Sequence, residues 1–221
     1  MKRIHIPNMG AERNNFFTAI EIGIRECNII GVKQMTLITP QKNLNTIDIG
    51  RLLGDAVSKK LMKGNSIPID NYGINLTYES VSTIQKITTP QVGLAFYVST
   101  KDIQKLDDLD FDVLIFVPWL DTEGTNWAAK WNAETHGSNN QETTINLSPE
   151  VVDSLKALTS CINLSTGLSH PSHKEHAKRK LSQLQLDGIF WDITEVEKWA
   201  VRNGWKASDA KELATLSSRY I

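Results

Sequence analysis

The sequence predicts an α/β fold, followed by a C-terminal segment that is all-helical. Residues 113–117 form an unbroken apolar run, Val-Leu-Ile-Phe-Val, which is typical of a central parallel strand covered on both faces. Strand-like and helix-like stretches alternate before this run and continue after it, whereas residues 148–221 show helical periodicity alone. We therefore expect a three-layer, Rossmann-like domain with a mostly parallel sheet over residues 1–147. We expect the helical segment, residues 148–221, to pack on it.

The amino-acid composition favours some classes of protein over others. Of 221 residues, 40% are apolar and 22% charged, with a net charge of −1, which fits a globular protein and argues against a wholly basic nucleic-acid binder. No apolar stretch approaches the length of a membrane span. Met1-Lys-Arg is followed by polar residues instead of the apolar core of a signal peptide, and this predicts a cytoplasmic protein. We expect Cys27 and Cys161 to be reduced and mostly buried.

Local signals set the elements of the first 147 residues. Apolar side chains at Phe16, Ile20, Ile24 and Cys27 share one face of a helix, and Pro118 ends the central strand because it has no N–H group. The predicted strands cover residues 2–6, 35–39, 92–98 and 111–117, a hairpin joins 67–70 to 74–78, and an edge strand covers 143–147. The predicted helices cover residues 12–29, 47–62, 101–108 and 122–132, and a polar surface loop covers 132–141.

The C-terminal segment predicts four short helices. Ser148-Pro149 is a typical helix start, with serine as the cap and proline in the first turn. The other predicted starts are a capping box from Ser172, one near Asp192, and Ser208. The tryptophans at positions 191, 199 and 205 indicate either a helical core or a face for a protein partner.

A ligand site is predicted where the parallel strands end, because the loops after such strands meet at one edge of the sheet. The candidate ligand-binding residues are Thr39, Lys42, Thr46, Ser99, Trp119, Asp121 and Thr125. These residues lie next to predicted helix N-termini, which favour a small anionic ligand. A competing interpretation makes the same residues caps and turns, and makes Trp119 a plug in the core.

The sequence assigns neither a cofactor nor catalytic residues. It contains no GxGxxG motif after a strand, no GxxxxGK[ST] motif and no GxSxG motif. Asp121 and Glu123 could serve as acid and base or hold Mg²⁺, but acidic residues also favour the first turn of a helix. His5 is interpreted as a packed strand histidine. The HxxHxxH pattern of His170, His173 and His176 is interpreted as a polar helix start, because a residue before proline is extended.

The biochemical function therefore stays open between three hypotheses. The leading one is a ligand-binding or partner-binding α/β protein without established catalysis. A protein partner would bind through the C-terminal helices of this chain. The first alternative is an enzyme that acts on a small or nucleotide-like anion at the strand ends. The second is a DNA-associated regulator, although Asp209 and Glu212 on the last helix disfavour contact with phosphates.

Overall fold

The computed structural model describes residues 1–69, 71–138 and 143–221, together with their side chains except that of Thr46. The chain forms two compact units. The first, called the α/β unit here, comprises Met1–Ala129 and Ala133–Gln141, and the second, the helical unit, comprises Lys130–Asn132 and Glu142–Ile221. The fold is α/β with a mostly parallel sheet and a helical C-terminal segment, so the predicted fold class is confirmed.

Seven strands in the described residues form one sheet in the order β3-β4-β2-β5-β6-β1-β7. Neighbouring strands are parallel except β3 and β4, which form the predicted antiparallel hairpin. The strands are β1 (Lys2–His5), β2 (Gln34–Thr39), β3 (Ile67–Ile69), β4 (Ile74–Ser80), β5 (Val92–Phe96), β6 (Val113–Val117) and β7 (Glu134–Thr135).

Helices of the α/β unit cover both faces of this sheet. They are α1 (Arg13–Ile30), α2 (Asp48–Leu53), α3 (Asp55–Met62), α4 (Thr100–Asp107) and α5 (Asp121–Trp131). On one face, Ile4 and Ile115 pack with Phe16 of α1 in the main apolar core, which also takes in residues of α2 and α3. On the other face, Phe116 contacts Trp127 of α5 with ring centroids 5.4 Å apart. Because side chains alternate along a strand, β1 and β6 each place residues on both faces of the sheet.

Two elements of the α/β unit differ from the prediction. The helix expected over residues 47–62 is broken at Gly54, whose φ of 80° ends α2 and begins α3, and a 3-10 turn over Leu44–Thr46 precedes them. The edge strand expected over residues 143–147 is absent from the described residues. The edge is instead β7, which lies inside the predicted surface loop and pairs with β1. Gly54 adopts its positive φ readily because it has no side chain, whereas β7 forms because its pairing with β1 outweighs local propensity.

The helical unit contains the four predicted helices in its described residues. They are α6 (Pro149–Cys161), α7 (Pro171–Leu186), α8 (Ile193–Arg202) and α9 (Ala207–Ser217), and their inward residues, such as Leu155, Leu181 and Trp199, form a second core. Helix α7 starts two residues earlier than a capping box with Ser172 as the cap predicts, because proline suits the first helical position. The residue before it, His170, is extended as predicted.

The two cysteines differ in burial. Both are free thiols, and Cys27 is fully buried on the inner face of α1, as predicted. Burial raises the pKa of the Cys27 thiol to about 11. Cys161 is exposed at the end of α6, so the expectation that it is mostly buried is wrong.

Candidate functional site

The carboxyl edge of the sheet has two places where the helices following neighbouring strands lie on opposite faces. One is between β2 and β5, because α2 packs on the main core while α4 follows β5 to the other face. The other is between β6 and β1, followed by α5 and α1 respectively. Crevices at such points are the usual ligand sites of open α/β sheets.

The loops after β1 and β6 are fastened to each other. The Asn8 side chain is 4% exposed, and its Nδ2 atom donates to the carbonyl oxygens of Pro118 (2.6 Å) and Gly10 (2.7 Å). The Gly10 amide donates to the Trp119 carbonyl at 2.8 Å, and its φ of 73° favours glycine there. Asn15 completes the arrangement by donating to Asn8 Oδ1. This part of the carboxyl edge is thus held in a fixed geometry.

His5 and Asp121 lie beneath these loops. His5 is 2% exposed, its Nε2 atom is 3.9 Å from Asp121 Oδ1, and within the described chain neither ring nitrogen has a hydrogen-bond partner. Burial lowers the pKa of His5, and the Asp121 carboxylate partly offsets this. Helix α5 can approach His5 closely because Gly124 has no side chain. A Cβ atom at this position would lie 2.1 Å from His5 Nε2. Such a buried, neutral imidazole beside a carboxylate is an arrangement found at sites of proton transfer.

An aromatic pair lies between the two crevices. Tyr97 follows β5 directly, with a φ of 57° that is uncommon for a residue with a side chain. Its ring meets that of Trp119 edge to face, with centroids 5.2 Å apart. Burial raises the pKa of Tyr97, and Asp48 and Glu12 raise it further. Trp119 is 45% exposed, so it is not the core plug of the competing interpretation.

A recess of about 200 Å³ opens beside Tyr97, and we call it the Tyr97 recess. Its charged lining consists of Glu12, Arg13, Asp48 and Arg51, and Ala11 and Leu52 complete the lining. Arg51 donates to Asp48 Oδ1 at 3.0 Å, which neutralises part of this charge. Glu12 precedes the 18-residue helix α1, whose N-terminus has no side-chain cap and no acidic residue in its first turn. The positive end of a long helix therefore borders the recess.

The residues predicted from sequence separate into two groups. Trp119, Asp121 and Thr125 lie together, and Thr125 Oγ1 is 3.5 Å from Asp121 Oδ2. Thr39 is fully buried and bonded to the Tyr78 hydroxyl and the Gln41 carbonyl, while Ser99 caps α4.

The structure does not place the two remaining predicted residues, Lys42 and Thr46, in the candidate site. Lys42 is exposed and does not line the Tyr97 recess. Thr46 begins no helix, since α2 starts at Asp48, and its side chain lies outside the described part of the chain.

Sequence reasoning missed several residues of this edge. His5 was interpreted as a packed strand histidine, and its packing is confirmed, but its proximity to Asp121 depends on how α5 lies against β1. Tyr97 and Arg51 were also missed. Tyr97 falls inside the predicted strand over residues 92–98, whereas β5 ends at Phe96, so the sequence pattern does not indicate that Tyr97 lies at the carboxyl edge.

The histidines of the helical unit do not form a metal site in the described residues, where no group of three ligating side chains is found. His173 Nδ1 contacts the Gly167 carbonyl at 3.1 Å, and His170 Nδ1 contacts the Ser172 hydroxyl at 2.7 Å. Basic side chains of this unit pair with carboxylates: Lys130 with Glu197, Lys174 with Glu212, Lys178 with Glu175 and Lys198 with Glu195.

The helical unit also has a counterpart among known families. Residues 147–220 match the family described as a domain of unknown function, DUF1889. No curated protein and no solved structure matches the chain. Across the described residues, no helix combines the length and apolar character needed to cross a membrane.

Proposed function

We propose that the α/β unit binds a small ligand carrying an anionic group in the Tyr97 recess. Tyr97 carries the proposal, because a left-handed tyrosine at the end of a central strand is backbone strain of the kind that clusters at ligand sites. Its ring forms one wall, and the half-exposed Trp119 extends the aromatic surface. In this respect the unit uses its carboxyl edge as Rossmann-like proteins do.

The two arginines and two carboxylates that line the recess balance in formal charge, so the case for an anion depends on which of these groups are already engaged. Arg13 and Arg51 both line it, and the uncapped N-terminus of α1 adds a positive end. Asp48 is already engaged by Arg51, and Glu12 accepts a hydrogen bond from Asn15 at 3.1 Å. A carboxylate or phosphate group on the ligand can therefore bind Arg13 while an apolar part contacts Tyr97.

Arg13→Gln tests this proposal. In a thermal-shift assay of the full chain with inorganic phosphate, citrate and AMP, at least one anion should raise the melting temperature of the wild type. Arg13→Gln should lose that increase, whereas Lys42→Gln should keep it, because Lys42 does not line the recess. Sodium chloride of matched ionic strength controls for screening. The proposal is wrong if no anion stabilises the wild type, or if Arg13→Gln responds as the wild type does.

Catalysis on such a ligand remains the alternative, and the His5–Asp121 pair favours it. His5 is too deeply buried to meet a substrate directly, so Asp121, whose side chain is 44% exposed, would be the contacting group. Because Asp121→Asn removes a negative charge, it should bind the stabilising anion more tightly if Asp121 contacts it, while its stability stays near that of the wild type. Equal affinity in Asp121→Asn and the wild type would place Asp121 outside the site.

For the helical unit we propose a protein partner instead of DNA. Lys174 and Lys178 of this unit are paired with carboxylates, whereas Leu186 and Phe190 are 78% and 75% exposed. Large apolar areas exposed at a protein surface mark interaction sites. A second copy is the simplest partner to examine by sedimentation, and Leu186→Ser with Phe190→Ser should abolish any self-association. A monomer at all concentrations would exclude that partner.

The two free cysteines support our inference that the protein acts in a reducing compartment such as the cytoplasm.

A further inference from the structure

The connection from β4 to β5 is unusual because it crosses β2 without a helix. Residues 81–91 make this crossover, although connections between parallel strands are usually helical. Val81 and Ile87 are buried and anchor the segment. The backbone N–H of Gln91 donates to Asp112 Oδ2 at 2.8 Å. A cavity of about 440 Å³ lies between this segment and the strands, and we call it the crossover cavity.

Polar side chains of β2 and β4 form the floor of the crossover cavity. Gln34 and Thr36 alternate with the core residues of β2, and Thr77 and Glu79 do the same on β4. Because alternate residues of a strand point to opposite faces, these four side chains lie on the face away from the main core. A helix packed on this face would need apolar residues beneath it. The polar floor therefore explains why no helix among the described residues covers the strands here.

The floor of the crossover cavity is held together by side-chain hydrogen bonds. Thr36, which is 3% exposed, lies 2.9 Å from the Thr77 hydroxyl and donates to Gln91 Oε1. Gln34 Nε2 donates to the same Gln91 oxygen at 3.3 Å. At the wall, the Thr83 hydroxyl donates to Glu79 Oε2 at 2.5 Å. The hydroxyl and amide groups are thus fixed in position before a ligand arrives, which reduces the entropic cost of binding.

We propose that the crossover cavity binds a neutral polyhydroxylated molecule of monosaccharide size. Hydroxyl and amide groups both donate and accept, and so do the hydroxyls of such a ligand. The half-buried Glu79 carboxylate can accept from ligand hydroxyls. The charged side chains among the lining residues are Glu79 and Lys86, whose charges cancel, so the cavity does not select for an ion. Its volume lies within the roughly 300–1,000 Å³ of small-molecule sites.

A simpler role would be to tie the crossover segment to the sheet. The two roles depend on different residues. Tying the segment depends on Thr36 and Gln91, which are buried and bonded to each other. Binding a ligand depends as well on Thr77 and Glu79, which are only partly buried and so retain surface for a ligand.

The test is an amide-resolved NMR titration of the full chain with D-glucose, D-galactose, D-ribose and myo-inositol. At least one of these probes should shift amides of residues 77–79 and 83–91 in a saturable way. Glu79→Gln and Thr77→Val should each weaken that binding by at least about threefold, the effect of losing one hydrogen bond. Thr122→Val, an exposed threonine on α5, is the matched control and should bind as the wild type does.

The same spectra report whether each variant is folded, and Glu79→Gln remains informative if Thr77→Val is not. No saturable shift with any of the four probes would overturn the proposal. So would saturable shifts confined to the loops after β1, β5 and β6, or unchanged affinity in Glu79→Gln. The absence of any saturable shift, or unchanged affinity in Glu79→Gln, leaves the anion proposal untouched, because that proposal concerns the Tyr97 recess.

Discussion

The Nε2 atom of His5 and the Oδ1 atom of Asp121 lie 3.9 Å apart, and neither atom has a hydrogen-bond partner in the described part of the chain. The imidazole is almost fully buried, and burial lowers its pKa against the opposing effect of the carboxylate. A neutral histidine therefore lies directly behind an acidic side chain that faces the carboxyl edge of the sheet. This pair links the stability of the protein to pH.

We expect the free energy of unfolding to decrease as the pH falls below the ordinary histidine pKa of 6.5. In that range the unfolded chain protonates His5 more readily than the folded chain does, so protonation favours unfolding. This contribution is present above pH 6.5 and is lost as the pH falls through the lowered pKa of folded His5. Urea unfolding at a series of pH values should show a weaker dependence in His5→Leu than in the wild type.

Asp121→Asn should steepen this pH dependence, because it removes the carboxylate that raises the His5 pKa. Glu123→Gln, on the same helix, is the control and should follow the wild type. Identical pH profiles for His5→Leu and the wild type would show that His5 is not the responsible group.

Gly124→Ala should destabilise the α/β unit although alanine is the better helix former. The new Cβ atom would lie 2.1 Å from His5 Nε2 and 2.7 Å from Pro118 Cγ. Such overpacking costs about 1–3 kcal/mol, against about 1 kcal/mol of improved helix propensity. Asn126→Ala, an exposed change in α5, is the control in denaturant unfolding. A Gly124→Ala protein as stable as the wild type would mean that α5 is not held against β1.

Trp119→Ala and Trp127→Ala should have different costs. Trp127 is 4% exposed and donates to Asp107 Oδ2 at 2.9 Å, so its removal should cost about 3–5 kcal/mol. Trp119 is nearly half exposed, and its loss should cost less than half as much while weakening ligand binding. Denaturant unfolding measures both losses of stability. If Trp119→Ala destabilises the protein as much as Trp127→Ala does, the role of Trp119 is structural.

Iodoacetamide should modify Cys161 much faster than Cys27. The thiolate is the reactive form, and a Cys27 thiol with a pKa of about 11 stays protonated near neutral pH besides being buried. Timed alkylation followed by peptide mass spectrometry measures both rates. In urea the two cysteines should react at similar rates. Equal rates in the native protein would contradict the burial of Cys27.

The parts of the fold that local patterns encode could be predicted. The run from Val113 to Val117 identified a central strand, and Ser148-Pro149 identified a helix start, because each signal depends only on its neighbours in the sequence. Strand β7 could not be found in this way. Its two residues are extended because β1 offers a free edge from the other end of the chain.

The candidate site was predicted only in outline for the same reason. The rule that strand ends meet at one edge predicts Trp119 and Asp121 at the carboxyl edge of the sheet, and both follow β6 there. It did not identify His5, because nothing near position 5 in the sequence indicates that Gly124 allows α5 to approach so closely. Nor did it indicate the backbone conformation of Tyr97, which depends on the surrounding structure.

The two outer strands of the sheet bear on how the protein behaves at high concentration. Strand β3 has three residues with Pro68 at its centre, and β7 has two. Proline has no N–H group to donate, and so short an edge offers few backbone groups to a strand from another molecule. Intermolecular sheet extension, the first step towards fibrils, is therefore disfavoured at both edges. Concentrated solutions should stay free of ordered β-aggregates while the chain remains folded.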